Sequence, residues 1–253
     1  MQVVNSVAII TLNRPEKLNS INRDMAIQLQ QFLDDCKKSK QIRCVYLTGA
    51  GKAFSAGQDL EEIAAPGGQD VHTILSDQLN PIVIKIRKLN KPVVAAINGV
   101  AAGAGANIGL CCDIVVAAQS ASFIQAFSKI GLIPDSGGTF FLPRLVGLQK
   151  SMALCMLGEK VSAEEAERMG MIYKVFTDNH FKEESFKIAE TLSHMPTKAL
   201  DLTKKALNQA FITSFEEQLH QEEILQQEAA GTYDYKEGIQ AFLEKRNPEF
   251  RGE

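Results

Sequence analysis

Short apolar runs alternate with longer amphipathic segments over the first two thirds of the chain. Residues 7–12, 44–48, 93–97 and 113–117 are rich in apolar and β-branched side chains and bounded by polar residues or glycine, as buried strands are. Between the first two runs, apolar positions recur at helical spacing, with Asn22 placed as an N-cap. These positions are Met25, Leu29, Phe32, Leu33 and Cys36. The strand, helix, strand order predicts an α/β fold.

The pattern changes to helices only after about residue 175. A segment that begins after Pro196 carries an apolar stripe at helical spacing. The stripe consists of Ala199, Leu200, Ala206, Leu207, Ala210 and Phe211. We therefore predict an α/β core over residues 1–195 and a helical region over residues 196–253. The stripe could cover the sheet or contact another subunit, and amphipathicity alone leaves both open.

Composition narrows the possible partners. The chain has 253 residues, 45% of them hydrophobic, and a formal net charge of −3 without a basic stripe, so we expect no nucleic-acid partner. The five cysteines are an odd number without metal-type spacing, which predicts reduced thiols and a cytoplasmic location. No apolar stretch reaches the length of about 20 residues needed to cross a bilayer, and no secretion signal is visible, so we expect no membrane association.

Two glycine-rich segments, residues 53–60 and 98–106, follow predicted strands. Their small residues allow close backbone approach, and the amides of Gln58 and Ala104 could together stabilise an oxyanion. Two plain glycine turns are the alternative. Neither a phosphate loop nor a dinucleotide fingerprint fits, because Ala53 stands where the first motif needs Ser or Thr, and Ile108 where the second needs glycine.

Asp135 lies in the turn sequence Pro-Asp-Ser-Gly-Gly between apolar stretches. A carboxylate there could transfer protons, or it could cap a following helix through Thr139 and Phe140, and the pattern leaves both open. The four histidines lie in polar or irregular contexts without metal spacing, and we expect them at the surface. No metal site is predicted.

Five segments occur in an order that resembles the crotonase (enoyl-CoA hydratase/isomerase) superfamily over essentially the full chain. They are residues 12–19, 53–60, 96–103, 113–115 and 134–139. The resemblance implies a spiral of ββα units, with a C-terminal helical region used to form trimers or dimers of trimers. It also implies an acyl-CoA thioester substrate whose carbonyl accepts two backbone N–H bonds, with no cofactor other than the CoA of the substrate.

The chain departs from the hydratases of this family at two positions. Their two catalytic glutamates correspond to Asn107 and Phe127, which cannot supply paired acid/base groups, so ordinary hydration is disfavoured. Asp135 stands where hydratases have a small residue, and family members with a carboxylate there shift double bonds. The resemblance therefore implies an isomerase in which Asp135 is the acid/base and Gln58 and Ala104 form the oxyanion hole. We expect apolar neighbours, namely Phe127, Leu132 and Ile133, to raise the pKa of Asp135 by desolvation.

Such an enzyme would convert ring-1,2-epoxyphenylacetyl-CoA to oxepin-CoA, shift a Δ3 double bond of an enoyl-CoA to Δ2, or do both. The alternatives are a divergent enoyl-CoA hydratase and a non-catalytic relative that binds acyl-CoA or RNA, although the dispersed acidic charge disfavours RNA.

The resemblance also implies a set of substrate-binding residues. Backbone around Lys17, Leu18, Ala56 and Gln58 is expected to hold the adenosine part of CoA. Asn80 and Phe127 are expected to contact the substrate, and Phe242 and Lys245 to reach CoA from a neighbouring subunit. For Lys245, a solvated cation at a helix end is the alternative.

Overall fold

The structure, a computed structural model, describes residues 1–64 and 67–253. Within these residues the strands are β1 Gln2–Val4, β2 Val7–Leu12, β3 Cys44–Gly49, β4 Ala53–Ser55, β5 Val93–Ile97, β6 Val100–Ala102, β7 Ile114–Ala118, β8 Ser122–Ile124, β9 Lys160–Ser162 and β10 Lys174–Phe176. The helices are α1 Arg23–Lys38, α2 Leu60–Ala64, α3 Val71–Thr73, α4 Asn80–Lys88, α5 Gly103–Leu110, α6 Gly138–Val146, α7 Leu148–Leu157, α8 Ala163–Arg168, α9 Asp178–His194, α10 Thr197–Gln209, α11 Phe215–Ala230 and α12 Tyr233–Glu244. A π-helical segment, Ile74–Leu79, joins α3 to α4.

The strands form two sheets. The larger has the order β1-β2-β3-β5-β7-β10, in which β1 and β2 are antiparallel and the other pairs are parallel. The smaller has the order β4-β6-β8-β9, with β9 antiparallel to β8. The inner strands of the larger sheet are buried on both faces, which explains their uninterrupted apolar sequences.

Successive strand pairs divide between the two sheets. In β3–β4, β5–β6 and β7–β8, the first strand joins the larger sheet and the second joins the smaller one, and helices follow each pair. This repetition is the ββα spiral expected from the family resemblance. It brings the ends of β4, β6 and β8 side by side, so the loops that follow these strands converge.

The first helix agrees with its sequence pattern. The Asn22 side chain accepts a hydrogen bond from the Met25 backbone N–H at 3.1 Å and so caps α1, as predicted. Leu29, Leu33 and Cys36 on its apolar face are buried against the larger sheet. All five cysteines are free thiols.

The C-terminal helix α10 contacts the core through a face other than its apolar stripe. The apolar stripe on α10 and just after it stays largely exposed in this chain, since Leu207 is 65% and Phe211 66% exposed to solvent. The face of α10 that turns inward carries Lys204, which donates to the Asp113 carboxylate and to the Ile86 carbonyl oxygen, each at 2.8 Å. An ion pair thus fastens this helix to the core.

No helix in the described part of the chain combines the length and apolar character needed to cross a membrane.

Candidate active site

The segment after β4 is held against two neighbouring segments. The Ile21 N–H donates to the Gly57 carbonyl oxygen at 2.7 Å, and the Ala56 N–H donates to the Leu18 carbonyl oxygen at 2.9 Å. Gly57 has a φ of +94°, in the region that favours glycine. A Cβ at this residue would lie 2.8 Å from the Ala102 carbonyl oxygen and 3.3 Å from the Ala104 nitrogen. Glycine at position 57 therefore lets this segment approach the start of α5 closely.

The second predicted amide belongs to the first turn of α5, where the backbone N–H groups lack partners within their own helix. Ala104 follows Gly103, which has a φ of +51°. Neither the Ala104 N–H nor the Gln58 N–H donates a hydrogen bond to another group in the described residues. Gln58 and Ala104 both border one cavity, so their N–H groups are available to a carbonyl oxygen bound there.

Asp135 enters the same cavity from the turn before α6. Ser136 and Gly137 both have left-handed backbones, with φ of +49° and +78°. The Ser136 hydroxyl donates to the Asp135 carboxylate at 2.9 Å. The alternative role of Asp135 as a helix cap is wrong, because α6 has Gly137 as its N-cap residue and no side-chain cap. The carboxylate is therefore available to a bound molecule.

The cavity has a volume of about 190 Å³. Its wall is mainly apolar and includes Leu60, Ile63, Ile74, Leu79, Phe127 and Leu132. Ile74 and Leu79 are five residues apart in the π-helical segment, where residues at this spacing are hydrogen-bonded neighbours and share a face. Among the described residues of the wall, Asp135 is the sole carboxylate and Lys129 the sole cation.

Burial raises the pKa of the Asp135 carboxyl, and the hydrogen bond from Ser136 offsets part of that rise. The direction agrees with the sequence-based expectation. Two of the three apolar neighbours named there, Phe127 and Leu132, line the cavity with Asp135. The third assignment is wrong, because Ile133 is 80% exposed to solvent.

The structure brings together Asp135, Gln58, Ala104, Ala56 and Phe127, all of which border the cavity. Lys17 and Leu18 lie beside it in the segment that pairs with residues 56–58. The Lys17 ammonium forms an ion pair with Glu61 at 2.7 Å, and Leu18 is 46% exposed with a left-handed backbone. A ligand that leaves the cavity beside Ala56 would pass these two residues.

Three predicted binding residues lie elsewhere in this single chain. Asn80 is exposed at the start of α4 and does not border the cavity. Phe242, 82% exposed, lines a separate groove of about 490 Å³ in the C-terminal region. Lys245 follows it as the C-cap of α12, with a left-handed backbone. Contacts of Phe242 and Lys245 with CoA across a subunit boundary stay predictions.

Sequence reasoning missed two features of the site. The first is the part of the apolar wall formed by Ile74 and Leu79, whose spacing of five is not a period that sequence patterns reveal. The second is the set of partners of Asn107, which is 1% exposed. The family resemblance shows Asn107 only as the replacement of a glutamate, although a polar side chain on an otherwise apolar helix is a signal that it has hydrogen-bond partners.

No cluster of three or more His, Cys, Asp or Glu side chains in residues 1–64 and 67–253 is arranged to hold a metal ion. The four histidines are exposed, as predicted.

Comparisons with known proteins identify the family of the chain. The family described as enoyl-CoA hydratase/isomerase matches residues 2–253. A 1,2-epoxyphenylacetyl-CoA isomerase of Escherichia coli (strain K12) is 46% identical over 253 residues, which cover 99% of this chain and 97% of that protein. A probable enoyl-CoA hydratase of Rhodobacter capsulatus is 43% identical over 251 residues, covering 99% of this chain and 96% of that protein.

A solved structure gives the same result for the fold. The enoyl-CoA hydratase from Bacillus anthracis has a TM-score of 0.91 and is 35% identical, covering 98% of this chain and 96% of that chain. The chain belongs to the enoyl-CoA hydratase/isomerase family of the crotonase superfamily. The recognition from sequence motifs and the predicted fold are both confirmed. An acyl-CoA substrate is consistent with the family.

Proposed function

We propose that the protein is an acyl-CoA isomerase that uses Asp135 as its single acid/base. The observation that carries the proposal is the cavity itself, which combines two free backbone N–H groups with one half-buried carboxylate in an apolar wall. Two convergent donors suit an enolate oxygen, and a carboxylate of raised pKa suits proton transfer at carbon.

In the proposed mechanism, the thioester carbonyl oxygen accepts hydrogen bonds from the Gln58 and Ala104 amides. Asp135 removes a proton from C2, and the electron pair of the broken C–H bond moves onto the carbonyl to give an enolate. In a 3-enoyl-CoA, the electrons return through the conjugated system as C4 takes the proton back from Asp135. The double bond then lies at Δ2, and the carboxylate is regenerated.

The same enolate can act on a ring epoxide. In ring-1,2-epoxyphenylacetyl-CoA, its electrons move into the ring, the bond between the two epoxide carbons opens, and the ring expands to the seven-membered oxepin. Asp135 returns the proton to a ring carbon, so no atoms are gained or lost. The 46% identical relative that is named for this substrate supports the aromatic substrate.

Hydration is the second family activity, and two features of the cavity speak against it. At position 107, both polar atoms of the Asn side chain are already engaged in hydrogen bonds. At position 127, the family's second glutamate is replaced by a phenyl ring that is 5% exposed. Neither residue can hold and deprotonate a water molecule.

The remaining parts of the proposal concern CoA and assembly. The backbone at Lys17, Leu18 and Ala56 would hold the adenosine part of CoA, and no cofactor beyond the substrate's own CoA is required. The exposed apolar side chains of α10 and α12 support a trimer or a dimer of trimers, in which Phe242 and Lys245 reach the neighbouring CoA. A cytoplasmic location completes the proposal.

The test is turnover of ring-1,2-epoxyphenylacetyl-CoA and of 3-hexenoyl-CoA by the purified protein and by Asp135→Asn. We expect the wild type to convert at least one substrate and the variant to lose that activity, with acyl-CoA binding retained. Wild-type turnover of one substrate alone would identify the acyl group. Hydration of crotonyl-CoA by both proteins, without isomerisation, would refute the proposal.

A further inference from the structure

Asn107 is buried in the middle of α5 and connects two segments of the site. Its Nδ2 donates to the Asp135 backbone carbonyl oxygen at 2.9 Å. Its Oδ1 accepts a hydrogen bond from the Gln125 Nε2 at 2.8 Å. Asn107 and Gln125 are 1% and 4% exposed, so water does not compete for these bonds. A continuous line of hydrogen bonds therefore runs from Gln125 to the peptide of Asp135.

The turn that carries Asp135 needs such support. Ser136 and Gly137 are both left-handed, and for Ser136 this conformation is unfavourable without help from its surroundings. The Asp135 carbonyl oxygen also accepts from the Gly138 N–H at 2.8 Å, so its two lone pairs are both used. A Cβ at Gly138 would lie 2.3 Å from the Asn107 Nδ2, so glycine at 138 leaves the space that Asn107 fills.

Asn107 also lies on the helix that supplies one oxyanion amide. Ala104 and Asn107 are three residues apart in α5, which is one turn, and therefore have a fixed separation. The enolate oxygen would bind at the Ala104 N–H, and the proton would move to the carboxylate of the residue that Asn107 holds. One helical turn thus sets the distance between the oxyanion site and the base.

We propose that Asn107, supported by Gln125, is a positioning residue that fixes Asp135 relative to the oxyanion hole. The inference rests on the proposed isomerase function. It gives a role to the side chain that replaces a catalytic glutamate of the hydratases. Asn107 acts through the backbone of Asp135 and touches no substrate, so its loss should misplace the base while the acyl-CoA still binds.

The experiment compares Asn107→Leu, which has the same number of side-chain heavy atoms and the same branching at Cγ but no hydrogen-bonding groups, with the wild type on the substrate that the wild type converts. Displacement of a catalytic group by about 1 Å lowers the rate about 100-fold, so we expect a fall in kcat of that order with little change in KM. Gln125→Met removes the supporting donor and should give a smaller fall in kcat. It also keeps the test available if Asn107→Leu does not fold.

The matched control is Ser185→Ala. Ser185 in α9 is fully buried and shares a 2.7 Å hydrogen bond with the Tyr46 hydroxyl of β3, and neither residue borders the cavity. This variant also loses a buried hydrogen bond, so its Tm should fall while its kcat is unchanged. A fall in kcat for Asn107→Leu no larger than for Ser185→Ala would overturn the inference.

A double variant separates positioning from general damage. If Asn107 acts only through Asp135, adding Asn107→Leu to Asp135→Asn should not lower the residual rate or weaken acyl-CoA binding further. An additive loss would overturn the inference. Failure of this inference can be told apart from failure of the proposed function. Full turnover by Asp135→Asn alone would refute the isomerase mechanism, whatever Asn107 does.

Discussion

Substitution of Gly57 by alanine should damage the oxyanion hole with little change elsewhere. A Cβ at this position would lie 2.8 Å from the Ala102 carbonyl oxygen, against 3.4 Å for an ordinary contact, so the two segments must separate by about 0.6 Å. An amide about 2.9 Å from the oxyanion would then be about 3.5 Å away, too far for an effective hydrogen bond. Loss of one oxyanion donor lowers kcat by about 100- to 1000-fold.

The assay is steady-state turnover of the isomerase substrate, together with thermal unfolding. Gly147→Ala is the matched control, because Gly147 also has a left-handed backbone, with a φ of +78°, but nothing lies within 4 Å of a Cβ there. Both variants should be destabilised by about 1 kcal/mol or more through the backbone alone. Only Gly57→Ala should lose kcat. If the two variants keep the same kcat, the assignment of the Gln58 and Ala104 amides is refuted.

Three further predictions concern titration and stability. Ser136→Ala removes the hydrogen bond that lowers the pKa of Asp135, so the acidic limb of the kcat/KM profile should move to higher pH; an unmoved limb would count against Asp135 as the base. Folding raises the pKa of Asp135, so the free energy of unfolding is highest below the pKa of the unfolded chain. It falls as pH rises from that pKa through the higher pKa of the folded protein, because the carboxylate must then ionise in a buried site. Asp135→Asn should therefore have a higher Tm than the wild type at neutral pH. The difference should vanish in acid, where the side chain at position 135 is neutral in both proteins. A lower Tm of the variant at neutral pH would contradict the desolvation argument. Lys204→Met removes one partner of Asp113, which keeps the Val93 N–H and the Arg87 guanidinium beside it. The variant should therefore lose about 1.5–3 kcal/mol in urea unfolding, the range for a hydrogen bond to a charged group. Lys205→Met, at a half-exposed site, should cost less than about 1 kcal/mol; equal losses would show that the Lys204–Asp113 pair does not fasten α10.

The sequence predicted the core because its elements follow simple periods. Apolar runs such as residues 93–97 are buried on both faces, and the helix that begins after Asn22 has its apolar side chains on one face. Glycines after β4 and β6 indicated close backbone approach, and Gly57 meets α5 as this reasoning requires. Sequence patterns are enough to predict the structure where a residue's contacts come from its own helix or strand and one adjacent element.

The rest depended on distant contacts. The stripe on α10 left its partner open, and the pattern gave no sign that Lys204 turns inward, where Asp113, far away in sequence, neutralises it. The pattern around Asp135 also fits a helix cap, and the choice required knowing that α6 begins only at Gly138. The role of Asn107 depends on Gln125 and Asp135, which approach it only in the folded chain.

The same contacts connect the isomerase proposal to its mechanism. Hydration adds a water molecule and therefore needs a group to hold and deprotonate it. A single carboxylate is enough when the proton removed from one carbon is returned to another. In the described wall of the cavity that carboxylate is Asp135, and burial brings its pKa closer to neutrality, where it can both accept and return a proton. Asn107 replaces a potential second acid/base by a fixed amide, and this replacement favours an intramolecular reaction over the addition of water.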